Sequence, residues 1–294
     1  MSSSPKIGAH VSAAFSLELS FERAKKIGAE CTQIFISPPQ QWLQTKHGLE
    51  EIQRYRKAQI ESGTSPNFIH GTYLINLATQ NYEHLKKSIN WLIYAMNMAA
   101  QLQMAGVIFH LGSHKGIGFE KCLNQIVKAI HTILATVTTN LPIDQNAVTK
   151  PYLILETSAG AGGNIGGRFE ELGKILKAVS DERLKVCLDT QHTFTAGYDL
   201  ASKLGLEKTL FEFNKEIGLK NLAVIHLNDS KTELASQKDR HENIGEGFIG
   251  TKGFARIINH PKLKSIPFIL EVPGFSGNGP DRENIQMLKN LVIS

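Results

Sequence analysis

The chain has 294 residues, of which 41% are hydrophobic, and carries a formal net charge of +5 with a pI near 9.0. This length suits one (β/α)₈ barrel or two ordinary domains, and no composition shift or low-complexity run marks a linker. The basic charge is compatible with a polyanionic partner but does not require one. The N-terminus has no apolar core, and amide side chains interrupt the longest apolar stretch, around Trp91 to His110. We therefore expect neither a signal peptide nor a membrane span.

Eight short segments rich in β-branched and aliphatic residues recur along the chain. They begin at Lys6, Cys31, Asn67, Val107, Tyr152, Lys185, Leu222 and Pro267. Patterns of helical spacing lie between them, over residues 17–27, 82–102, 119–135, 169–179, 207–217 and 254–258. Alternation of strand and helix predicts a parallel sheet, and eight such units predict closure into a single (β/α)₈ TIM barrel over residues 1–294, with 1–5 as a short flexible leader. An open doubly wound sheet is the alternative, but the first strand–helix turn lacks a GxGxxG fingerprint.

Seven of the eight segments end in His, Asp or Glu, and the second ends in the loop SPPQQ. In a barrel these ends meet at the carboxyl-terminal mouth, where active sites are built. Glu156 and Glu271 each follow an apolar run, and an unpaired carboxylate is unfavourable to bury, so cations are expected nearby. Together with His70, His110, Asp189 and His226, they predict a metal cluster. The remaining histidines with no partner pattern are interpreted as surface or ordinary core residues: His10, His47, His84, His131 and His260.

A second group of ligand-type residues accompanies the first. His192 lies three residues beyond Asp189, and Asp239 and His241 can face one ion from an extended loop. A site this rich in imidazole favours zinc, or a similar ion such as manganese or cobalt, over magnesium. No GxSxG elbow, P-loop or HExxH helix occurs. The segment AGAGGNIGGRFE after Glu156 could cradle phosphate with its amides or serve equally well as a flexible loop.

Cys31, Cys122 and Cys187 are widely spaced and form no CxxC pair. Two of them fall inside strand segments, where a cysteine usually acts as a small buried hydrophobe. This pattern argues against a disulfide scaffold or a cysteine-based zinc module and suits the reducing cytoplasm.

Several long segments carry a resemblance to a known family: IGAHVSAA from Ile7, HGTYLINLA from His70, VCLDTQHTFTAGYDL from Val186, HLNDSKTELASQKDRHENIGEGFIG from His226 and ILEVPG from Ile269. The chain resembles the endonuclease IV family of apurinic/apyrimidinic endonucleases over nearly its whole length. The resemblance implies a TIM barrel with three zinc ions, with manganese as an option at one site. The implied ligands are His70, His110 and Glu156 for the first ion; the bridging Glu156 with Asp189, His226 and Glu271 for the second; and His192, Asp239 and His241 for the third.

The same resemblance implies an enzyme of base excision repair that acts on double-stranded DNA carrying abasic sites or 3′-blocking lesions. It would cut 5′ to the abasic site and leave a 3′-hydroxyl and a 5′ deoxyribose phosphate, with Glu156 and Glu271 as catalytic carboxylates. Tyr73, Gln40 and Gln41 are the implied DNA contacts, although Gln40 lies where some members carry arginine. The resemblance also favours a monomer.

Two other functions remain open. A sugar isomerase or epimerase on a related barrel would use only Glu156, Asp189, His226 and Glu271, and the additional ligands count against it. A non-catalytic binder of damaged DNA would be expected to lack a ligand, and no ligand is missing.

Overall fold

Eight parallel strands close into a barrel in the computed structural model, which describes residues 4–137 and 150–293. The strands are β1 Ile7–His10, β2 Thr32–Ile34, β3 Asn67–His70, β4 Gly106–Phe109, β5 Tyr152–Glu156, β6 Leu184–Asp189, β7 Leu222–His226 and β10 Phe268–Leu270. Each strand pairs with the next along the chain, and β1 closes the ring against β10, with Ile7 opposite Phe268. The prediction of a (β/α)₈ barrel is confirmed. That residues 1–294 form one domain stays a prediction, and the first three residues of the predicted leader lie outside the described part.

Helices cover the outside of the barrel. They are α1 Leu19–Ile27, α2 Leu49–Ser62, α3 Tyr82–Gln101, α4 Phe119–Thr136, α5 Phe169–Val179, α7 Lys203–Glu216, α8 Gly250–Ile258 and α9 Arg282–Leu291. The short helix α6 Thr190–Thr195 is buried and follows β6 directly at the mouth of the barrel. A two-stranded hairpin, β8 Asp229–Ser230 with β9 His241–Glu242, lies in the loop after β7. Within the two described ranges, no helix combines the length and apolar character needed to cross a bilayer.

The residues inside the barrel form two layers because side chains alternate along a strand. The lower layer is apolar: Cys31, Phe68, Ile108, Ile154, Cys187, Val224 and Ile269 form one buried cluster. Gly8 completes this layer without a side chain, since an added Cβ would lie 1.9 Å from the carbonyl oxygen of Cys31.

Two residues further along every strand stands a second layer, made of polar residues. We call it the mouth ring: His10, Gln33, His70, His110, Glu156, Asp189, His226 and Glu271. The alternate residues, such as Ile69, Val107 and Leu155, point outwards into the main core beneath the helices. The apolar layer therefore closes the barrel below, and four members of the mouth ring, His10, His70, His110 and Glu271, line a cavity of about 1200 Å³ at the carboxyl ends of the strands.

Candidate metal centre

Three overlapping groups of ligand atoms meet at the mouth ring. Within each group the atoms lie no more than 4.8 Å apart, and the groups are His70, His110 and Glu156; Glu156, Asp189, His226 and Glu271; and Asp189, His192 and His241. The first two groups contain the same residues as the first two predicted ligand sets. The third contains Asp189 in the place predicted for Asp239.

Asp239 nevertheless lies beside the third group. Its carboxylate oxygens are 3.2 Å from His192 Nε2 and 3.6 Å from His241 Nε2. The side chain comes from the loop between β8 and β9 and is 59% exposed, whereas Asp189 is fully buried. The structure thus brings all nine predicted ligands to one mouth, and the third set has two carboxylates within reach.

Glu156 occupies the centre of the arrangement. This fully buried carboxylate lies 3.2 Å from His70 Nε2, 3.5 Å from His110 Nε2 and 3.0 Å from His226 Nδ1. One of its oxygens faces His70 and His110, and the other faces His226. Glu156 therefore belongs to both of the first two groups, as a bridging ligand must.

Three of the histidines are held in one tautomer by the backbone. The Nδ1 atoms of His70, His192 and His241 lie 2.8, 3.1 and 3.2 Å from the carbonyl oxygens of Gly71, Thr157 and Glu271, respectively. Because a carbonyl can only accept, each Nδ1 carries a proton, and each Nε2 is the nitrogen that would face an ion. The buried Nε2 atoms of His192 and His241 face the Asp239 carboxylate at 3.2 and 3.6 Å. Buried imidazole nitrogens grouped around carboxylates in this way fit the ligand set of a metal ion.

Hydrogen bonds also fix the position of Asp189. Its Oδ2 accepts a hydrogen bond of 2.7 Å from the Asn228 amide, and its Oδ1 accepts one of 2.8 Å from the backbone N–H of His192. Its own backbone N–H donates to Thr157 Oγ1 at 2.9 Å. These contacts fix the carboxylate between the second and third groups.

The charges of the site shift the pKa values of its members. Burial raises the pKa of Glu156, but the neighbouring His110 and His226 charges outweigh this effect and hold the pKa well below its ordinary 4.5. Burial also acts to raise the pKa of Glu271, but the neighbouring His226 charge lowers it, and the pKa of Glu271 likewise lies well below 4.5. Burial likewise acts to raise the pKa of Asp239, but hydrogen bonding and charge from His192 outweigh it and lower that pKa to about 2. The carboxylates are thus ionised at neutral pH, as metal ligands need to be.

Comparison with known proteins identifies the family. The family model described as "Xylose isomerase-like TIM barrel" matches residues 21–291. The chain is 43% identical over 285 residues to "Probable endonuclease 4" of Halothermothrix orenii, covering 97% of this chain and 99% of that protein. It is 36% identical to the protein of the same name from Persephonella marina, covering 98% of this chain and 97% of that one.

The chain belongs to the endonuclease IV family. Among solved structures, endonuclease IV from Thermus thermophilus superimposes with a TM-score of 0.84 at 31% identity, over 98% of both chains. A D-tagatose 3-epimerase-like protein superimposes with a TM-score of 0.72 at 18% identity, over 97% of this chain and 96% of that one, which shows a shared fold only.

The loops for which the endonuclease IV resemblance implied DNA contacts lie at the same mouth. Tyr73 is 58% exposed, lines the cavity, and packs edge-on against Phe35 with ring centroids 5.5 Å apart. Its backbone N–H donates to the carbonyl of Pro39 at 2.9 Å, which joins the loop after β3 to the loop after β2. Gln40 and Gln41 are exposed on that second loop and stand outside the cavity wall.

Two members of the mouth ring were not predicted as site residues. His10, interpreted as an ordinary histidine, lies with its Nδ1 3.3 Å from Glu271 Oε1, and burial lowers its pKa. Gln33 donates to the same carboxylate oxygen at 2.5 Å. The interpretation of His10 was wrong because it considered only ligand partners. The signal that could have found both is their position, two residues beyond Gly8 and Cys31 in the apolar layer.

The other histidines assigned to the surface or core lie away from the ligand groups. His47 contacts Glu51 at 3.0 Å, His260 contacts Glu207 at 3.1 Å, and His84 contacts the carbonyl of Leu74 at 2.7 Å, while His131 is exposed.

The glycine-rich segment after Glu156 uses many of its amides internally. The N–H groups of Asn164, Ile165 and Gly166 donate to Ala161, Gly112 and Glu171, respectively. Since these donors are occupied, the loop interpretation suits this segment better than a phosphate cradle.

Proposed function

We propose that this protein is a metal-dependent endonuclease that cuts DNA on the 5′ side of abasic sites in base excision repair. The products would be a 3′-hydroxyl and a 5′ deoxyribose phosphate. One observation carries the proposal: eight ligand-type side chains form three overlapping groups, and a ninth, Asp239, lies beside the third group, 3.2 Å from His192 Nε2. Membership of the endonuclease IV family supports the choice of DNA as substrate.

The residues fit three divalent ions. His70, His110 and Glu156 would hold the first; Glu156, Asp189, His226 and Glu271 the second; and His192, Asp239 and His241 the third, with Asp189 within reach of it. Five imidazoles among nine ligands favour zinc, with manganese as an option at one site. Bound ions would supply Lewis acidity towards the phosphate and lower the pKa of an attacking water.

The chain's own groups determine where the phosphodiester can lie. The side chains of Glu271 and His110 are 17% and 32% exposed, whereas Glu156 is fully buried. Glu271 therefore faces the open cavity, where a substrate phosphate would enter, whereas Glu156 is buried and does not line the cavity. We assign catalytic roles to both carboxylates, Glu156 through its central bridging position and Glu271 at the edge facing the substrate.

Binding of DNA would involve Tyr73, Gln40 and Gln41 on the joined loops after β2 and β3. An abasic nucleotide has no base to pair and little stacking, so extruding it into a cavity of about 1200 Å³ is energetically easy. This reasoning supports double-stranded DNA with abasic sites or 3′-blocking lesions as the partner. We further propose that the protein acts as a monomer in the cytoplasm, where the DNA is accessible.

The decisive experiment combines metal analysis with cleavage of one defined duplex. Purified protein should contain close to three equivalents of metal and should cut an abasic duplex, but not its undamaged counterpart, to a 3′-hydroxyl end. Glu156→Gln should abolish cleavage because it removes the charge that bridges two ligand groups, while some DNA binding should remain through Tyr73 and the loops.

A matched control is Glu61→Gln, which neutralises a carboxylate that is 65% exposed at the end of α2 and pairs only with Lys57 among the described residues. That variant should retain wild-type cleavage. Activity of a preparation with one ion or none, or near-normal turnover of Glu156→Gln, would overturn the proposal. Metal-dependent turnover of a ketose without DNA cleavage would instead favour an isomerase or epimerase.

A further inference from the structure

One member of the mouth ring has no ionisable side chain and is not a metal ligand. Gln33 is fully buried on β2, the strand whose segment ends in no histidine or carboxylate. We propose that Gln33 is a positioning residue for the second ligand group: its amide fixes the tautomer of His226 and the orientation of Glu271. This inference rests on the proposed metal-dependent function.

The contacts of the amide define its two ends. Gln33 Nε2 lies 2.5 Å from Glu271 Oε1, an atom that can only accept when ionised, so this end is the donor. Oε1 must then accept, and it lies 2.8 Å from His226 Nε2. His226 therefore carries a proton on Nε2, and its Nδ1, which would face the ion, lies 3.0 Å from Glu156 Oε1 and 3.3 Å from Glu271 Oε2.

His226 differs from His70, His192 and His241 in the group that accepts a hydrogen bond from its outer nitrogen, the ring nitrogen that faces away from the ion. Backbone carbonyls hold His70, His192 and His241, and no side-chain substitution can remove those acceptors. The outer nitrogen of His226 depends on a side chain instead. Loss of the Gln33 carbonyl would leave a buried N–H without an acceptor, or let the imidazole change tautomer and turn its proton towards the ion.

The amide itself has little freedom to turn. Its Nε2 is 2.9 Å from His10 Nδ1, and the His10 ring packs against Phe35 with centroids 4.4 Å apart. A flipped amide would point an NH₂ group at the N–H of His226 and an oxygen at the Glu271 carboxylate. Both contacts would be repulsive, so one orientation is imposed from both ends.

The test uses two substitutions at Gln33 in the full-length protein. Gln33→Met keeps the volume and removes both hydrogen bonds, and it should weaken the binding of one zinc ion about tenfold or more, as loss of outer-sphere partners typically does. Gln33→Glu keeps an acceptor for His226 but places a second carboxylate oxygen beside Glu271 Oε1, so it should keep the His226 tautomer while weakening zinc binding. Affinity is measured by competition with a chelator, and the tautomer of His226 by ¹⁵N spectra of the zinc-bound protein.

Thr32→Val is the matched control. Thr32 is adjacent on β2, fully buried, and donates to Asn67 at 2.7 Å on the opposite face of the strand. It should lose stability without a change in zinc affinity. Equal zinc affinity of Gln33→Met and wild type, or a changed His226 tautomer in Gln33→Glu, would overturn the inference. If Gln33→Met does not fold, the tautomer in Gln33→Glu decides. Wild-type protein that binds no zinc would instead refute the proposed function.

Discussion

At the scale of single residues, the site depends on matching each buried charge with a partner. Glu156 and Asp189 are fully buried, and an isolated carboxylate at such a depth would be strongly destabilising. Imidazoles surround Glu156, and Asn228 and a backbone N–H hold Asp189. The ligands are therefore preorganised before any ion binds, so little conformational entropy needs to be lost when it does.

The loop after β2 provides a prediction about single residues. Gln40 is exposed on the loop after β2, at a position where the family resemblance implies arginine in some members, and glutamine has neither the charge nor the fork of a guanidinium. Gln40→Arg should tighten binding to abasic DNA and steepen its salt dependence, since each added phosphate contact releases about one counterion. The measurement is Kd against salt concentration for both proteins on one abasic duplex and on its undamaged counterpart.

Cleavage by Gln40→Arg should change little at saturating DNA, because no ligand is altered. Lys57→Gln, which removes an exposed charge on α2, provides a reference for a change in net charge alone. Superimposable salt curves for Gln40→Arg and wild type would mean that this position does not approach the DNA backbone.

At the scale of elements, the barrel strands were predictable because each is buried on both faces and reads as a short apolar run ending in a polar residue. The helices α2, α6 and α9 were not predicted. In α2 only Ile52 and Tyr55 are buried, and in α9 only Ile285 and Leu288 are buried hydrophobics, so the apolar spacing is sparse. The β8–β9 hairpin has two residues in each strand, too few for a periodic pattern.

That hairpin region depends on a single carboxylate for its shape. Asp229 accepts hydrogen bonds of 2.8 to 3.3 Å from the backbone N–H groups of Ser230, Gly245, Gly247, Ile249 and Gly250. Glycine is required at position 247 because an added Cβ would lie 2.6 Å from Asp229 Oδ1. The loop so folded carries Asp239 and His241, which complete the third ligand group.

Asp229→Asn should therefore destabilise the protein and weaken binding of the third ion. Either orientation of an asparagine amide points an NH₂ group at backbone N–H donors, and unsatisfied buried donors typically cost about 1–3 kcal/mol each. Denaturant unfolding and zinc content together provide the measurement. Asp199→Asn is the control, since Asp199 accepts from the N–H groups of Ala201 and Ser202 in a different turn. A full complement of zinc in Asp229→Asn would show that the loop does not need this carboxylate.

At the scale of the whole molecule, sequence spacing predicted which residues meet but not how they are held. The alternation of side chains along the strands predicted that the ends of the eight segments meet at one mouth, which identified six ligand-type residues. His192, Asp239 and His241 were predicted from their local spacing. The orientations of His241 and His226 depend on the Glu271 carbonyl and the Gln33 amide, which only the closed barrel brings to them. Gln33 is 193 residues from His226 along the chain, and no local pattern connects them.

The closed site also determines how the molecule should respond to pH. Burial acts to lower the pKa of His192, but the neighbouring Asp189 charge outweighs it and holds this pKa well above the ordinary 6.5. Burial acts in the same direction on His226, and the Cys187 sulfur, Glu271 and Glu156 together raise its pKa well above 6.5. Both imidazoles are therefore protonated near neutral pH in the metal-free protein. Their pairing with carboxylates stabilises the metal-free fold fully below about pH 6.5, and this stabilisation is lost as pH rises through the raised pKa values.

Metal binding should show the opposite pH dependence, because an ion must displace those protons. We expect zinc uptake near neutral pH to release about two protons, one from each of His192 and His226, and zinc to raise the Tm more at about pH 8 than at about pH 6. Calorimetry in two buffers of different ionisation enthalpy measures the released protons, and thermal unfolding with and without zinc measures the shift in Tm. His131→Gln, which replaces an exposed histidine on α4, should release as many protons as wild type. Uptake of zinc without proton release, together with a Tm shift that does not vary with pH, would mean that these two imidazoles are already neutral and that the carboxylates of the mouth ring do not control their charge.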